Sequence, residues 1–165
     1  MPSRDSDYPV TTAVRFLRER NIDFRPHLYT YEEHGGTKLS ADALAVPEHE
    51  VVKTLVFETE SHKPILVLMH GDREVSTKEL ARIIGVKRVE PCDAEDAQRA
   101  TGYVFGGTSP FGTRTSLPVY AEKSIFNLSK IYINGGKRGF LVEVHPSVLK
   151  STLGAAEVEV AIQPS

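Results

Sequence analysis

The sequence predicts a single α+β domain with a mixed β-sheet, and three observations carry that expectation. The chain has 165 residues, room for one domain with at most a short extension and enough to bury a core without staples. Short β-branched runs such as "VVKTLVFETE" and "PILVLMH" are interspersed with amphipathic stretches that carry helix caps, the mixture expected of α+β architecture. No repeat, low-complexity tract or interdomain linker breaks the pattern, so residues 1–165 are read as one unit.

The elements follow in order. "TTAVRFLRERN" places Val14, Phe16 and Leu17 among charges behind Thr11 or Thr12 as N-cap, a first helix ending near Asn21. "FRPHLYTY" (24–31) alternates and is rich in aromatics, and Pro26 confines such a strand to an edge. "LSADALAV" (39–46) reads as a short helix capped by Ser40 and closed before Pro47. "EVVKTLVFETE" and "PILVLMH", separated by "SHK", read as adjacent antiparallel strands. "STKELARIIG" has Ser76 with Glu79 three residues on, a capping box, and stops at Gly85. "KRVEP" then reads as a strand and "DAEDAQRATG" as a helix from Asp93 to Gly102. "LPVYAE", "KIYING", "GFLVEV" and "VEVAI" read as further strands, with a helix in "HPSVLKSTLG" before the last.

Composition narrows the function. Hydrophobic residues make up 40% and charged residues 25%, with no apolar run long enough to span a bilayer, so no membrane partner is expected. "MPSRDSDYPV" carries acids and lacks the apolar core of a secretory leader, and the single Cys92 cannot form an internal disulfide; a reducing cytoplasm is the expected location. The formal net charge of −2 argues against unspecific nucleic-acid binding. Residues 101–140, however, hold Arg114, Lys123, Lys130, Lys137 and Arg138 against Glu122 alone. Such a scattered basic segment is more often a solvated face than an anion site.

Six histidines occur without HExxH or paired cysteines, so no metal is expected. GxxxxGK[ST], GxGxxG after a strand and GxSxG are missing, and no cofactor is expected. Cys92 stands at a helix start, which favours a thiolate, but Asp93 beside it works against one, and the residue reads as a small packing group. What remains is backbone. "GGTSPFG" (106–112) and "NGGKRG" (134–139) can turn clustered N–H donors toward an anion or a developing oxyanion. Taken singly, each reads first as an ordinary turn.

In their order and spacing, "TTAVRFLRERNI", "HLYTY", "VVKTLVFE", "ATGYVFGGTSPFG", "LPVY" and "IYINGGKRGF" resemble the YbaK/EbsC family, related to the editing domain of bacterial prolyl-tRNA synthetases. The resemblance runs from about Thr11 to about Leu153. It implies a bent mixed sheet flanked by helices, with a pocket over the sheet. It also implies a free-standing deacylase, of hydrolase or lyase type, that cleaves the ester of mischarged tRNA, Cys-tRNA(Pro) foremost. Such an enzyme answers a physical need, because a synthetase pocket shaped for proline rejects a smaller amino acid by only about 1–3 kcal/mol.

By position, the resemblance assigns Lys53, Gly106, Gly107, Thr108, Ser109 and Pro110 to catalysis. Tyr29, Asn134, Gly135, Gly136, Lys137 and Arg138 fall to substrate binding. Lys53 would hold a phosphate or ribose oxygen near the ester; without the resemblance it reads as a solvated strand-end lysine. The loop amides would surround the scissile carbonyl. Leu141 stands where familiar cysteine editors of the family carry an acid, so no role of that acid transfers and a more apolar pocket is expected. With no triad, metal or convincing catalytic carboxylate, the substrate's own thiol or a water would attack. Editing of Ala- or Ser-charged tRNA, and a non-catalytic tRNA- or synthetase-binding module, stay open as alternatives. The expected partners are aminoacyl-tRNA, with tRNA(Pro) first, and prolyl-tRNA synthetase.

Overall fold

A computed structural model describes residues 7–164, so most of "MPSRDSDYPV", read above as lacking the core of a secretory leader, lies outside the described residues. The order is α1 (Thr12–Glu19), β1 (Arg25–Leu28), α2 (Gly36–Leu44), β2 (Val51–Thr59), β3 (Pro64–His70), β4 (Glu74–Val75), α3 (Thr77–Ile84), β5 (Val89–Pro91), α4 (Ala94–Thr101), β6 (Val119–Glu122), β7 (Ile131–Lys137), β8 (Phe140–Val144), α5 (Val148–Leu153), β9 (Ala156–Val158) and β10 (Ala161–Ile162). The main sheet runs β1-β8-β7-β2-β3-β6-β9, with β5 also on β2, while β4 and β10 make a separate pair. Antiparallel ladders join β1 to β8, β7 to β8, β2 to β3 and β2 to β5. Parallel ladders join β2 to β7, β3 to β6 and β6 to β9, so the sheet is mixed.

The two-residue period of β3 explains why both sheet faces are covered. Leu66 and Leu68 point into a core with Leu17, Ile133 and Phe140, whereas Ile65, Val67 and Met69 point oppositely, against Leu80 of α3. Each such fully buried side chain contributes about 1.5–3 kcal/mol over exposure. Helix α1 packs on β7, α2 on β2 and α3 on β5. Pro26 lies in β1, which pairs with β8 alone, the edge position its missing N–H requires.

Three local expectations need correction. The second helix begins at Gly36, so Ser40 is not its cap but a buried interior residue whose hydroxyl donates to Thr37 O at 3.1 Å. At α3, Ser76 Oγ accepts from Glu79 N–H at 3.2 Å, but the reciprocal half of the box is absent. Ser76 N–H donates instead to Val160 O at 2.8 Å and the Glu79 carboxylate pairs with Arg82. The segment "VEVAI" is two strands: β9 leaves the sheet after Val158 because the buried Glu122 carboxylate takes the Val160 and Ala161 N–H groups at 2.7 and 3.0 Å. Pattern reading also missed β4 and short 3-10 turns at Glu48–Glu50 and Lys123–Asn127.

One irregularity positions the site. On the edge of β2 opposite β3, the ladder to β7 ends at Val52 and the ladder to β5 begins at Phe57. Residues 53–56 face the opening where β7 and β5 diverge, and Cys92 N–H donates to Val56 O at 3.0 Å at its far end.

Candidate functional site

A cavity of about 680 Å³ lies over this opening. Its floor is residues 51–57 of β2, and its walls include Tyr29, Leu141, Cys92 and the loop residues Phe105, Gly106 and Thr108. Lys53 sits in it, third in a central strand and half-buried, with Nζ 3.5 Å from Gly71 O. That corrects the alternative of a solvated strand-end lysine. Burial lowers the Lys53 pKa, and the carboxylates of Glu74, Glu48 and Asp72 pull against that effect. The ammonium therefore has acidic neighbours and an open side toward the cavity.

The structure brings Tyr29, Lys53, Gly106, Thr108 and Asn134 to one cavity. The other assigned residues serve it from behind or stand outside. Gly107 is buried, its N–H is committed to Val104 O at 2.9 Å, and a Cβ there would lie 2.9 Å from the Arg138 nitrogen, so the two glycine loops abut through it. Ser109 and Pro110 are buried, and Ser109 Oγ accepts from Phe111 N–H at 3.0 Å. Gly135 and Gly136 form the irregularity between Asn134 and Lys137 in the β7–β8 ladder. Lys137 and Arg138 are exposed at that turn.

Asn134 laces the loops together. Its Nδ2 donates to Gly106 O at 3.1 Å, while its Oδ1 accepts from Gly136 N–H at 2.6 Å and Lys137 N–H at 3.2 Å. Arg138 Nε donates to Phe105 O at 2.8 Å, and its guanidinium lies 5.2 Å from the Tyr31 ring. Gly106 has φ +86°, a left-handed conformation that a side chain would strain, and its missing Cβ leaves room for the Tyr31 hydroxyl. Tyr29 packs with Leu141, Val51 and Tyr132. Burial raises the Tyr29 pKa, which keeps the phenol protonated as a donor at neutral pH.

Pattern reading missed several neighbours. Thr54 lines the cavity, and its buried Oγ1 has no hydrogen-bond partner among the described residues. Strand alternation gave no signal for it, because it sends adjacent side chains to opposite faces, whereas both Lys53 and Thr54 reach the cavity where the β2 edge is left open. Near Lys53, the His49 and His70 rings stack at 3.7 Å and His49 Nδ1 meets Asp72 Oδ1 at 2.8 Å. His49, His70 and Asp72 hold potential ligand atoms within 4.8 Å of one another, but His70 commits Nδ1 to His49 O and Nε2 to Ser124 Oγ, both at 2.7 Å. Glu58, Cys92 and Asp96 form a second such group. Burial, then Glu58, Asp96 and Asp93, push the Cys92 thiol up to about 11. No helix among the described residues is long and apolar enough to cross a membrane.

Comparison with known proteins gives this geometry a context. The family model described as the aminoacyl-tRNA editing domain matches residues 33–152. A protein of Enterococcus faecalis that carries the name Cys-tRNA(Pro)/Cys-tRNA(Cys) deacylase EbsC is 28% identical over 151 residues, 91% of this chain and 92% of its own. The proline–tRNA ligase of Streptococcus equi subsp. equi is 30% identical over 143 residues, 86% of this chain and 22% of the ligase. The chain thus spans less than a quarter of that ligase. A solved structure described as a trans-editing enzyme for prolyl tRNA synthetase shares the fold, with a TM-score of 0.81 over 94% of this chain and 99% of its own at 23% identity.

Proposed function

Because the chain belongs to the aminoacyl-tRNA editing domain family, alongside the YbaK/EbsC proteins, we propose that it cleaves the ester of mischarged tRNA in trans, with Cys-tRNA(Pro) as its first substrate. The observation that carries this reading is the half-buried Lys53 ammonium in a cavity shared with Gly106 and Thr108. An ammonium beside clustered backbone donors suits a ribose-linked ester next to a phosphate, because the cation positions the anion while the amides meet the carbonyl.

The Gly106 and Thr108 amides are assigned to the developing oxyanion, since these loop residues line the cavity and the Gly107 N–H is already engaged. A protein thiolate is disfavoured by the Cys92 pKa of about 11. The nucleophile then comes from the substrate side. For a cysteinyl ester the substrate sulfur attacks its own carbonyl carbon and the acyl C–O bond breaks. The thiol proton passes to the departing ribose oxygen, and the amino acid leaves as a cyclic thiolactone. For other esters a bound water attacks and the free amino acid leaves.

A second reading, editing of alanyl esters, is favoured by the buried, apolar Leu141 in the wall beside Tyr29. Incubation with Cys-, Ala- and Ser-charged tRNA(Pro), followed by measurement of the remaining ester, decides between them. The cysteinyl ester is expected to disappear fastest. Persistence of all three esters at the uncatalysed rate would sink the deacylase reading and leave a tRNA- or synthetase-binding module. The same proposal places the chain in the cytoplasm as one editing unit, with charged tRNA and prolyl-tRNA synthetase as partners.

A further inference from the structure

Phe105 is 79% exposed, the most exposed large hydrophobic residue among the described ones, and it alone of that group lines the cavity. Leu28, Ile83, Val104 and Ile162, at 41–57%, are exposed away from it. An aromatic ring left in water at the mouth of a cavity is costly unless something covers it during function. Its backbone is also held firmly. Phe105 O accepts from Arg138 Nε at 2.8 Å, Gly106 O accepts from Asn134 Nδ2 at 3.1 Å, and Gly107 is packed against the Arg138 nitrogen. Three successive residues are thus pinned by the neighbouring loop, and the ring stands on a prepared support.

We propose that Phe105 is a stacking platform for the terminal nucleobase of the tRNA, with Arg138 and Asn134 as positioning residues that hold it at the rim. The inference rests on the reading of the cavity as the site of an aminoacyl-tRNA ester. The ribose that carries the ester also carries the base, so an ester at Gly106 and Thr108 brings a base to the adjacent residue. A flat aromatic face takes any base by stacking. The exposed Lys137 and Arg138 beside it put positive charge where the backbone phosphate follows. The platform thus accounts for an exposed phenyl ring beside a basic turn, a combination that suits nucleic acid better than an apolar protein surface.

The test uses the absence of tryptophan from the chain. Phe105→Trp introduces a single tryptophan at the rim, excited selectively over the six tyrosines, and its emission is followed during titration with uncharged acceptor-stem RNA ending in adenosine or in an abasic terminal nucleotide. The expected result is quenching by the adenosine-ended RNA and affinity about tenfold weaker for the abasic one. In a parallel label-free titration of the parent, Phe105→Ala and Phe105→Leu should each lose that preference, while Phe105→Tyr keeps it. Equal binding of the two RNAs by the parent, or an unchanged preference in Phe105→Ala, overturns the platform. Loss of co-elution with prolyl-tRNA synthetase in Phe105→Ala, with RNA binding unchanged, overturns it in favour of a protein contact. Uncharged RNA reports on the platform alone, so a failure of deacylation falls on the proposed function.

Discussion

Lys53 is the residue on which most depends. Its stem is partly covered in the cavity, so truncation loses packing, but it also removes a charge that burial disfavours. Lys53→Ala should therefore stay within about 1 kcal/mol of the parent in stability. Deacylation under single-turnover conditions should fall on the order of a hundredfold, because the ester loses its anchor. Lys53→Arg should rescue poorly, since a planar fork on a longer stem cannot put its charge where a compact ammonium stood. The pH dependence has a definite sign. Burial lowers the Lys53 pKa below 10.5, so activity that needs the ammonium is lost as pH rises through that depressed value. Across the window from there to 10.5 the unfolded chain binds the extra proton, so this group's contribution to stability increases with pH. A pH–rate profile that matches free lysine would detach Lys53 from the site. Cys92, by contrast, carries a thiol pushed up to about 11. Cys92→Ser should keep activity within about threefold, and a loss of several hundredfold in a folded variant would restore a protein thiolate to the mechanism.

At the scale of elements, β3 ends in a knot that no periodicity announces. His70 is 1% exposed and ties both 3-10 turns to the strand, through His49 O and Ser124 Oγ, each at 2.7 Å. The carbonyl can only accept, so Nδ1 carries the proton and neutral Nε2 accepts from the Ser124 hydroxyl. His70→Phe keeps ring volume and leaves two partly buried partners, His49 O and Ser124 Oγ, without their ring nitrogen. It should cost about 2–4 kcal/mol, read as a lower urea midpoint. Burial foremost lowers the His70 pKa below 6.5, so the parent loses stability as pH falls from 6.5 toward the depressed value, where only the unfolded chain takes up the proton freely. A parent and a His70→Phe variant with identical acid dependence would assign the loss to other groups.

For the whole molecule, the basic bias of residues 101–140 is split by folding. Lys123 pairs with Glu159 at 3.4 Å, and Arg114 lies against Gly102 near Arg99, while Lys137 and Arg138 stand at the turn beside the cavity. If that turn meets the tRNA backbone, Lys137→Ala with Arg138→Ala should reduce the slope of log affinity against log salt by about 1.4–1.8, two phosphates' worth. Lys137→Ala alone should remove half of this without disturbing Phe105. An unchanged slope in the double variant would place the tRNA on another surface.

What the sequence determined by itself was local. Ser76 to Gly85 and Asp93 to Gly102 are helices because cap, periodicity and left-handed stop lie within a dozen residues of one another. The β2–β3 hairpin follows from two β-branched runs across a short turn. The family's residue order was legible for the same reason, since "KT" and the two glycine loops are contiguous strings. Tertiary structure alone decided where those strings meet. Glu122 ends β9 through N–H groups 38 and 39 residues away, and Asn134 holds Gly106 across 28. The opening in the sheet at residues 53–56 arises where β7 and β5 diverge along one edge of β2. Such contacts depend on which distant segments pay their closure entropy by packing together. That choice is made by the whole core and is written in no single stretch of the chain.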